Sequence, residues 1–232
     1  RIAELAGNLF PPGIFNVVNG GRDTGSALSQ HPKVRSVSLV GSVPTGKAIL
    51  ADASTAIKSV LLELGGKNPL IVCPDTDVDF AVATAVKGMN LTWTAGQSCG
   101  STSRLLVHES LYADVVEGVT EAFRQLKLGI PSHLQTEMGC LTTGPHFEKV
   151  KEYLTIGFEE GAKMTTGGIP DQSPNPEGYF IRPTVFTDVD PSMRIANEEI
   201  FGPVLSVIPW KSDEQVMEIA NSVDYGLTAG IL

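Results

Sequence analysis

Four short segments of the sequence carry side chains that could do chemistry. The first surrounds Cys99, in WTAGQSCGSTSR, where Gly96, Gly100 and small hydroxyl residues leave the sulfur open to an approaching substrate. A thiolate there could act as a nucleophile; the other reading is a buried, inert thiol. Cys73 and Cys140 read as inert. The second is LLELGGKNP, in which Glu63 ends an apolar run. A carboxylate there is expected to be mostly shielded from water, which would raise its pKa toward that of a general base. An exposed Glu at a strand end is the other reading. The Gly65-Gly66 pair lets backbone come close to a ligand. The third is GSVPTGK at 41–47, which follows a strand-like run and nearly matches a phosphate-binding loop, except that Ala48 stands where Ser or Thr would hold magnesium. A Gly41-Ser42 turn opening a helix would still present N–H groups to a phosphate; a plain tight turn with Lys47 solvated is the alternative. The fourth is NEEIFGPV at 197–204, which by itself reads as a solvated acidic turn. Trp93 lies six positions before Cys99, so its ring either faces the same pocket or belongs to the core.

Composition narrows the classes of function. The 232 residues carry 17 basic and 26 acidic side chains, a net charge of -9, which argues against a nucleic-acid-binding face. Hydrophobic residues at 42% and charged residues at 19% are ordinary for a globular chain and argue against disorder. No apolar run approaches the ~18 residues of a membrane span, so no membrane partner is expected. RIAELAGNLF lacks the layout of a signal peptide. Three cysteines cannot form a disulfide framework, which points to a reducing compartment and a cytoplasmic protein. The four histidines (His31, His108, His133, His146) lack metal-ligand spacing, so no metal site is expected.

The elements that must hold these residues alternate. FNVVN (15–19), VRSVSLV (34–40), SVLLEL (59–64) and PLIV (69–72) read as buried strands, with helices over TGSALSQH and SVPTGKAILADAS between the first three. Such alternation predicts right-handed crossovers and a mostly parallel sheet. Further on, the pattern predicts one helix over 78–94, a strand at 103–108, a helix over 110–128 capped by Ser110, and a helix over 146–161 burying Phe147, Val150, Tyr153 and Leu154. GYFIRPTVFTDV, VLSVIPW and LTAGIL read as three more strands, with the helix DEQVMEIANSV between the last two. GGIPDQSPNPEG (167–178) reads as a surface excursion, and a domain boundary is placed near Gly65-Gly66. The chain opens on Arg1 and ends within an apolar run, so it is read as a fragment of a longer protein.

Taken in order, the motifs LELGGKNP, GQSCGSTSR and EEIFGPV, with the framework segments PPGIFNVVNG and GYFIRPTVF, resemble the NAD(P)-dependent aldehyde dehydrogenase superfamily over essentially the whole chain. The 36-position gap between Glu63 and Cys99 fits as well. The resemblance implies an α/β fold: residues 1–65 as the second half of a Rossmann-like NAD(P)-binding domain, then 66–232 as the parallel-sheet catalytic domain, incomplete at its C-terminal side. It implies oxidation of an aldehyde to a carboxylic acid with NAD or NADP through a thiohemiacetal and thioester on Cys99. Glu63 matches the general base for the deacylating water. Glu199 matches the carboxylate on the nicotinamide ribose, and Phe201 lines that place. Gly41 and Ser42 match the pyrophosphate contact, and Leu64 falls where a backbone group meets the nicotinamide carboxamide. A homodimer or homotetramer is implied for the whole protein. GQSCGSTSR is most similar to betaine-aldehyde and aminoaldehyde dehydrogenases, which resemble one another in carrying a Trp where Trp93 stands; an ammonium-bearing aldehyde resting on that indole is set against a plain apolar tunnel wall. Leu39-Val40 depart from the Phe-Thr frequent in the family. The family's upstream oxyanion asparagine and adenine-ribose residues are not in this sequence, so the stretch taken alone is not expected to turn over. Two competitors remain: a truncated or non-catalytic relative, and a P-loop nucleotide hydrolase, which Ala48 disfavours.

Overall fold

The structure, a computed structural model, describes residues 1–7 and 9–232; Asn8, within the opening segment, lies outside the described residues. The chain divides into two compact units, Arg1–Leu64 and Gly65–Leu232.

The first unit contains α1 (Ile2–Ala6), α2 (Arg22–Gln30), β1 (Ser36–Gly41), α3 (Val43–Ser54) and β2 (Ser59–Leu64). β1 and β2 form a two-stranded parallel ladder that pairs Val40 with Glu63 and Gly41 with Leu64. α3 is the crossover between them, as parallel strands require. It starts sharply because Ser42 caps it, accepting from the Thr45 N–H at 3.4 Å, with Pro44 in the first turn. Gly46 lets α3 lie close on β2: a Cβ there would stand 3.0 Å from the Leu64 side chain. Two expectations are corrected. FNVVN is not a strand; Phe15, Val17 and Val18 are exposed, and none of these residues pairs with β1 or β2. β1 and β2 are not buried either, since their side chains alternate between exposed and half-buried. One ladder covered by helix on one side cannot enclose both faces.

The second unit is built on a six-stranded sheet in the order β5-β6-β7-β4-β3-β8. Its elements in chain order are β3 (Pro69–Val72), α4 (Val78–Gly88), α5 (Leu91–Thr94), β4 (Arg104–His108), α6 (Tyr112–Gln125), α7 (Gly144–Glu159), β5 (Lys163–Gly168), β6 (Arg182–Thr187), α8 (Arg194–Asn197), β7 (Val204–Trp210), α9 (Asp213–Asn221) and β8 (Gly230–Ile231). All neighbouring pairs are parallel except β5–β6. β3, β4, β6 and β7 are buried almost throughout, which explains their near-continuous apolar runs. Helices supply the rest of the core, with Ala81 and Ala85 from α4, Val115, Val119 and Phe123 from α6, and Val150, Tyr153 and Ile156 from α7.

Three further expectations change here. The helix expected over 78–94 breaks at Asn90, whose left-handed backbone (φ +54°) ends the first segment; Ala95 (φ +52°) ends the short α5 in the same way. Ser110 does not cap α6, which begins after Leu111; its hydroxyl lies 2.7 Å from His108 Nδ1. LTAGIL forms strand only at Gly230–Ile231. KMTTGG, unread as a strand in sequence, forms the antiparallel edge β5. Among the described residues, no helix is long and apolar enough to cross a membrane, and no cluster of His, Cys, Asp and Glu could hold a metal.

Candidate active site

In the second unit three segments converge. The first is the turn into β3. Asn68 is buried, and its Nδ2 donates to the carbonyls of Cys99 (2.7 Å) and Ser101 (3.0 Å), while its Oδ1 accepts from the Thr228 N–H (3.1 Å). One amide side chain thus sets the backbone on which Cys99 stands. The second segment is the Cys99 loop. Gly96 has φ +74°, and its α-carbon packs on the Gly202-Pro203 backbone so closely that a Cβ would overlap the Gly202 carbonyl. Gln97 Oε1 accepts from the Thr142 N–H (3.1 Å) and hydroxyl (3.0 Å). With the backbone held, the Cys99 side chain is exposed, whereas Cys73 and Cys140 are half-buried. Burial first, then Asp75 and Asp213, push the Cys73 thiol up.

The third segment is 198–203. Glu199 is half-buried, and its Oε1 accepts from the Gly66 N–H at 3.1 Å. A Cβ on Gly65 would overlap that carboxylate, so this glycine is what lets Glu199 lie over the turn. Burial raises the carboxyl above its ordinary value, against the opposing pull of the Gly66 N–H, Lys149 and Lys67. NEEIFGPV is therefore not a solvated acidic turn. Glu198 is also engaged, by Arg194 through two bonds (2.8 and 2.9 Å) and by the Tyr153 hydroxyl (2.5 Å). Arg194 first, with Tyr153, holds its carboxyl below the usual range. Phe201, at the surface, has a left-handed backbone, φ +62°. Two side chains of α7, one turn apart, hold the backbone here: Lys149 Nζ donates to the Glu199 carbonyl (2.9 Å) and His146 Nε2 to the Phe201 carbonyl (2.6 Å).

Lys67 is fully buried beside this turn, and its Nζ has no hydrogen-bond partner among the described residues. Desolvation, with Arg104 and Lys149 adding to it and Glu199 and Glu198 opposing, lowers its pKa to about 7. Arg104 is buried too, with its guanidinium donating to the carbonyls of Lys67, Ile219 and Ala220, each at 2.8 Å.

Trp93 belongs elsewhere. It is 86% exposed, so it is no core tryptophan. It lines a groove of about 460 Å³ with Asp79, Val82, Val86, Lys87 and Ala122, and Cys99 is not among the lining residues.

In the first unit, Gly41, Ser42, Glu63 and Leu64 gather at the C-terminal end of the β1–β2 ladder. Glu63 is exposed, contrary to the expectation of shielding; it shares the outer side of β2 with Leu61, two residues earlier on the pleat. The residues 43–47 are the first turn of α3 and not a loop, and Lys47 is exposed. No phosphate-wrapping loop exists there, which removes the P-loop reading. A cavity of about 700 Å³ lies along α2 and α3, lined by Arg22, Ser29, Leu39, Pro44, Ala48 and Ile49 among others.

Reasoning from sequence missed Asn68, His146 and Lys149. Asn68 lies within LELGGKNP, and an amide directly after a Gly-Gly-Lys turn is the available signal. The two α7 residues gave none, because their partners lie 55 and 50 positions away.

Comparison with known proteins bears on what this arrangement does. A model of the aldehyde dehydrogenase family matches residues 1–232. The chain is 47% identical over its whole length to aldehyde dehydrogenase tropH of Talaromyces stipitatus, 46% of which it covers. It is 43% identical to a betaine aldehyde dehydrogenase of Brucella anthropi, over 96% of this chain and 45% of that protein. The structure of betaine aldehyde dehydrogenase from Staphylococcus aureus in complex with NAD+ matches with a TM-score of 0.94 at 35% identity, covering all of this chain and 46% of that one. The chain spans about half the length of the curated relatives it matches.

Proposed function

The chain belongs to the aldehyde dehydrogenase family, and from that premise we propose that this protein oxidises an aldehyde to a carboxylic acid with a nicotinamide dinucleotide, NAD+ or NADP+. The observation that carries the reading is Cys99: an exposed thiol on backbone fixed by Asn68 and Gly96, against the loop that bears Glu199.

The residues present fit such a cofactor. Gly65 and Gly66 leave room that a Cβ would fill, with a carboxylate already drawn over them, and a carboxylate suits a pair of ribose hydroxyls. Glu199 would hold the nicotinamide ribose and Phe201 would flank it. Ser42 caps an α3 start whose free N–H groups suit a pyrophosphate, with Gly41 giving close approach, and Leu64 offers backbone to the carboxamide. The cavity along α2 and α3 is roomy enough for a nucleoside. Bound there, the cofactor supplies a hydride acceptor.

The chain's own part is nucleophilic and acid–base. The Cys99 thiolate forms a C–S bond to the aldehyde carbon while the carbonyl electron pair moves to oxygen, toward which the Cys99 N–H donates. As the C=O bond re-forms, a hydride must leave that carbon, which a bound nicotinamide would accept, and a thioester remains. Glu63 then takes a proton from a water that attacks the thioester carbon; the C–S bond breaks, the acid leaves and the thiolate returns. Glu63 is exposed and so open to solvent.

For substrate, a trimethylammonium or amino aldehyde resting on the open indole of Trp93 is one reading, although the groove that Trp93 lines includes both Asp79 and Lys87 and does not include Cys99. A cation on such a face gains about 0.5–2 kcal/mol. The competing role for Trp93 is an apolar wall for uncharged aldehydes. Residues 1–65 form the later half of a cofactor domain and 66–232 most of a catalytic domain, in a cytoplasmic homodimer or homotetramer.

The test uses the full-length protein. Reduced nicotinamide should appear when an aldehyde is added with NAD+ or NADP+, faster with betaine aldehyde than with an uncharged aldehyde of similar length. No turnover with either aldehyde and either cofactor would sink the reading and leave the non-catalytic relative.

A further inference from the structure

Phe201 holds a left-handed backbone conformation that is strained for a bulky residue, so something around it must enforce φ +62°. Its carbonyl has one side-chain donor, His146 Nε2 at 2.6 Å. A carbonyl only accepts, so Nε2 carries the proton. The imidazole also meets the Phe201 ring edge-on, with centroids 5.9 Å apart. His146 is itself fixed, lying in the first turn of α7, where Thr143 caps the helix by accepting from the His146 N–H (3.4 Å). One turn later Lys149 holds the Glu199 carbonyl, and Val150 packs where a Cβ on Gly202 would stand 2.9 Å from its methyl. The bend at 199–202 is thus held from one helix face.

We propose that His146 is a positioning residue: by donating to the Phe201 carbonyl it locks the left-handed bend and keeps the Glu199 carboxylate drawn over Gly65-Gly66. The inference rests on the reading that Glu199 faces a cofactor ribose only for its effect on binding; the backbone role stands apart from it. Burial first lowers the imidazole below its ordinary value, with Lys149 adding to it and the bond to the Phe201 carbonyl opposing.

The experiment compares full-length wild type with His146→Leu, which keeps bulk and removes the donor, and His146→Gln, which restores one. Hydrogen–deuterium exchange of the amides at 200–204, without cofactor, should rise about tenfold in His146→Leu and stay within about twofold of wild type in His146→Gln. The KM for NAD+ should rise about 5- to 30-fold in the leucine variant, as expected for one lost hydrogen bond, with kcat at saturating NAD+ falling far less. Unchanged exchange in His146→Leu, or a glutamine variant as loose as the leucine one, overturns the inference. A wild-type protein that binds no nicotinamide dinucleotide overturns the proposed function, while the exchange comparison still decides the role of His146.

Discussion

At the end of the first unit's ladder, Gly41, Glu63 and Leu64 stand on two strands whose residues are all at least partly exposed. In the second unit, Cys99 and Glu199 stand on loops whose backbone is held by the side chains of Asn68, Gln97, Lys149 and His146. A strand end presents its side chains by pleat and register alone. A loop presents them only when distant groups satisfy its carbonyls and amides, because irregular backbone left unpaired is costly when buried. Chemistry in the first region should therefore be separable from stability, and chemistry in the second should not.

The largest effect expected in the full-length protein comes from Cys99→Ser. It should reduce aldehyde oxidation by on the order of 10⁴-fold or more, as loss of a nucleophile does. Turnover like that of wild type would remove Cys99 from the mechanism.

Next, Glu63→Gln and Asn68→Ala set the two regions against each other. The first should lower steady-state turnover roughly 10²–10⁴-fold, with a melting temperature close to wild type, because Glu63 is exposed. The second leaves the Cys99 and Ser101 carbonyls and the Thr228 N–H without their partner. That should cost at least about 2 kcal/mol of unfolding free energy in a denaturant titration. If Asn68→Ala unfolds like wild type, or Glu63→Gln is the less stable of the two, the contrast between the regions fails.

Lys67 sharpens the contrast through pH. Its folded-state pKa of about 7 lies below the ordinary value of 10.5. Between those values the unfolded chain binds a proton that the native state does not, so stability rises with pH across the window. Lys67→Met should flatten that rise and stabilise the protein near pH 7 by on the order of 3 kcal/mol. Parallel stability–pH curves for the two proteins would show that the buried ammonium is not the cause.

The smallest expected effect belongs to Trp93, on its separate groove. Trp93→Ala should lower kcat/KM for betaine aldehyde roughly two- to thirtyfold relative to an uncharged aldehyde. Equal losses for both would leave Trp93 as a plain wall.

What the sequence revealed follows the same division. PLIV, SRLLVH and VLSVIPW were legible as strands because both faces of β3, β4 and β7 are buried, so their runs are apolar throughout. SVLLEL has the same look but a half-exposed ladder, which is why Glu63 was expected to be shielded. KMTTGG is polar and glycine-rich, as an edge strand tolerates, and gave no strand signal. The break at Asn90 depends on a left-handed residue that its type permits but does not announce. Cys99, Glu63 and Glu199 were named from their motifs; the groups that hold the loops, His146 and Lys149, reach across the fold and leave no local pattern.

Whether Cys99 forms the covalent bond to the substrate and Glu63 releases it can be decided by trapping. Full-length Glu63→Gln is mixed with an aldehyde and NAD+, quenched in acid, digested and read by mass spectrometry. The peptide containing Cys99 should be heavier by the aldehyde less two hydrogens, accumulating in Glu63→Gln and scarce in wild type. An acyl group on Cys73 or Cys140, or no adduct while reduced nicotinamide still forms, would contradict it.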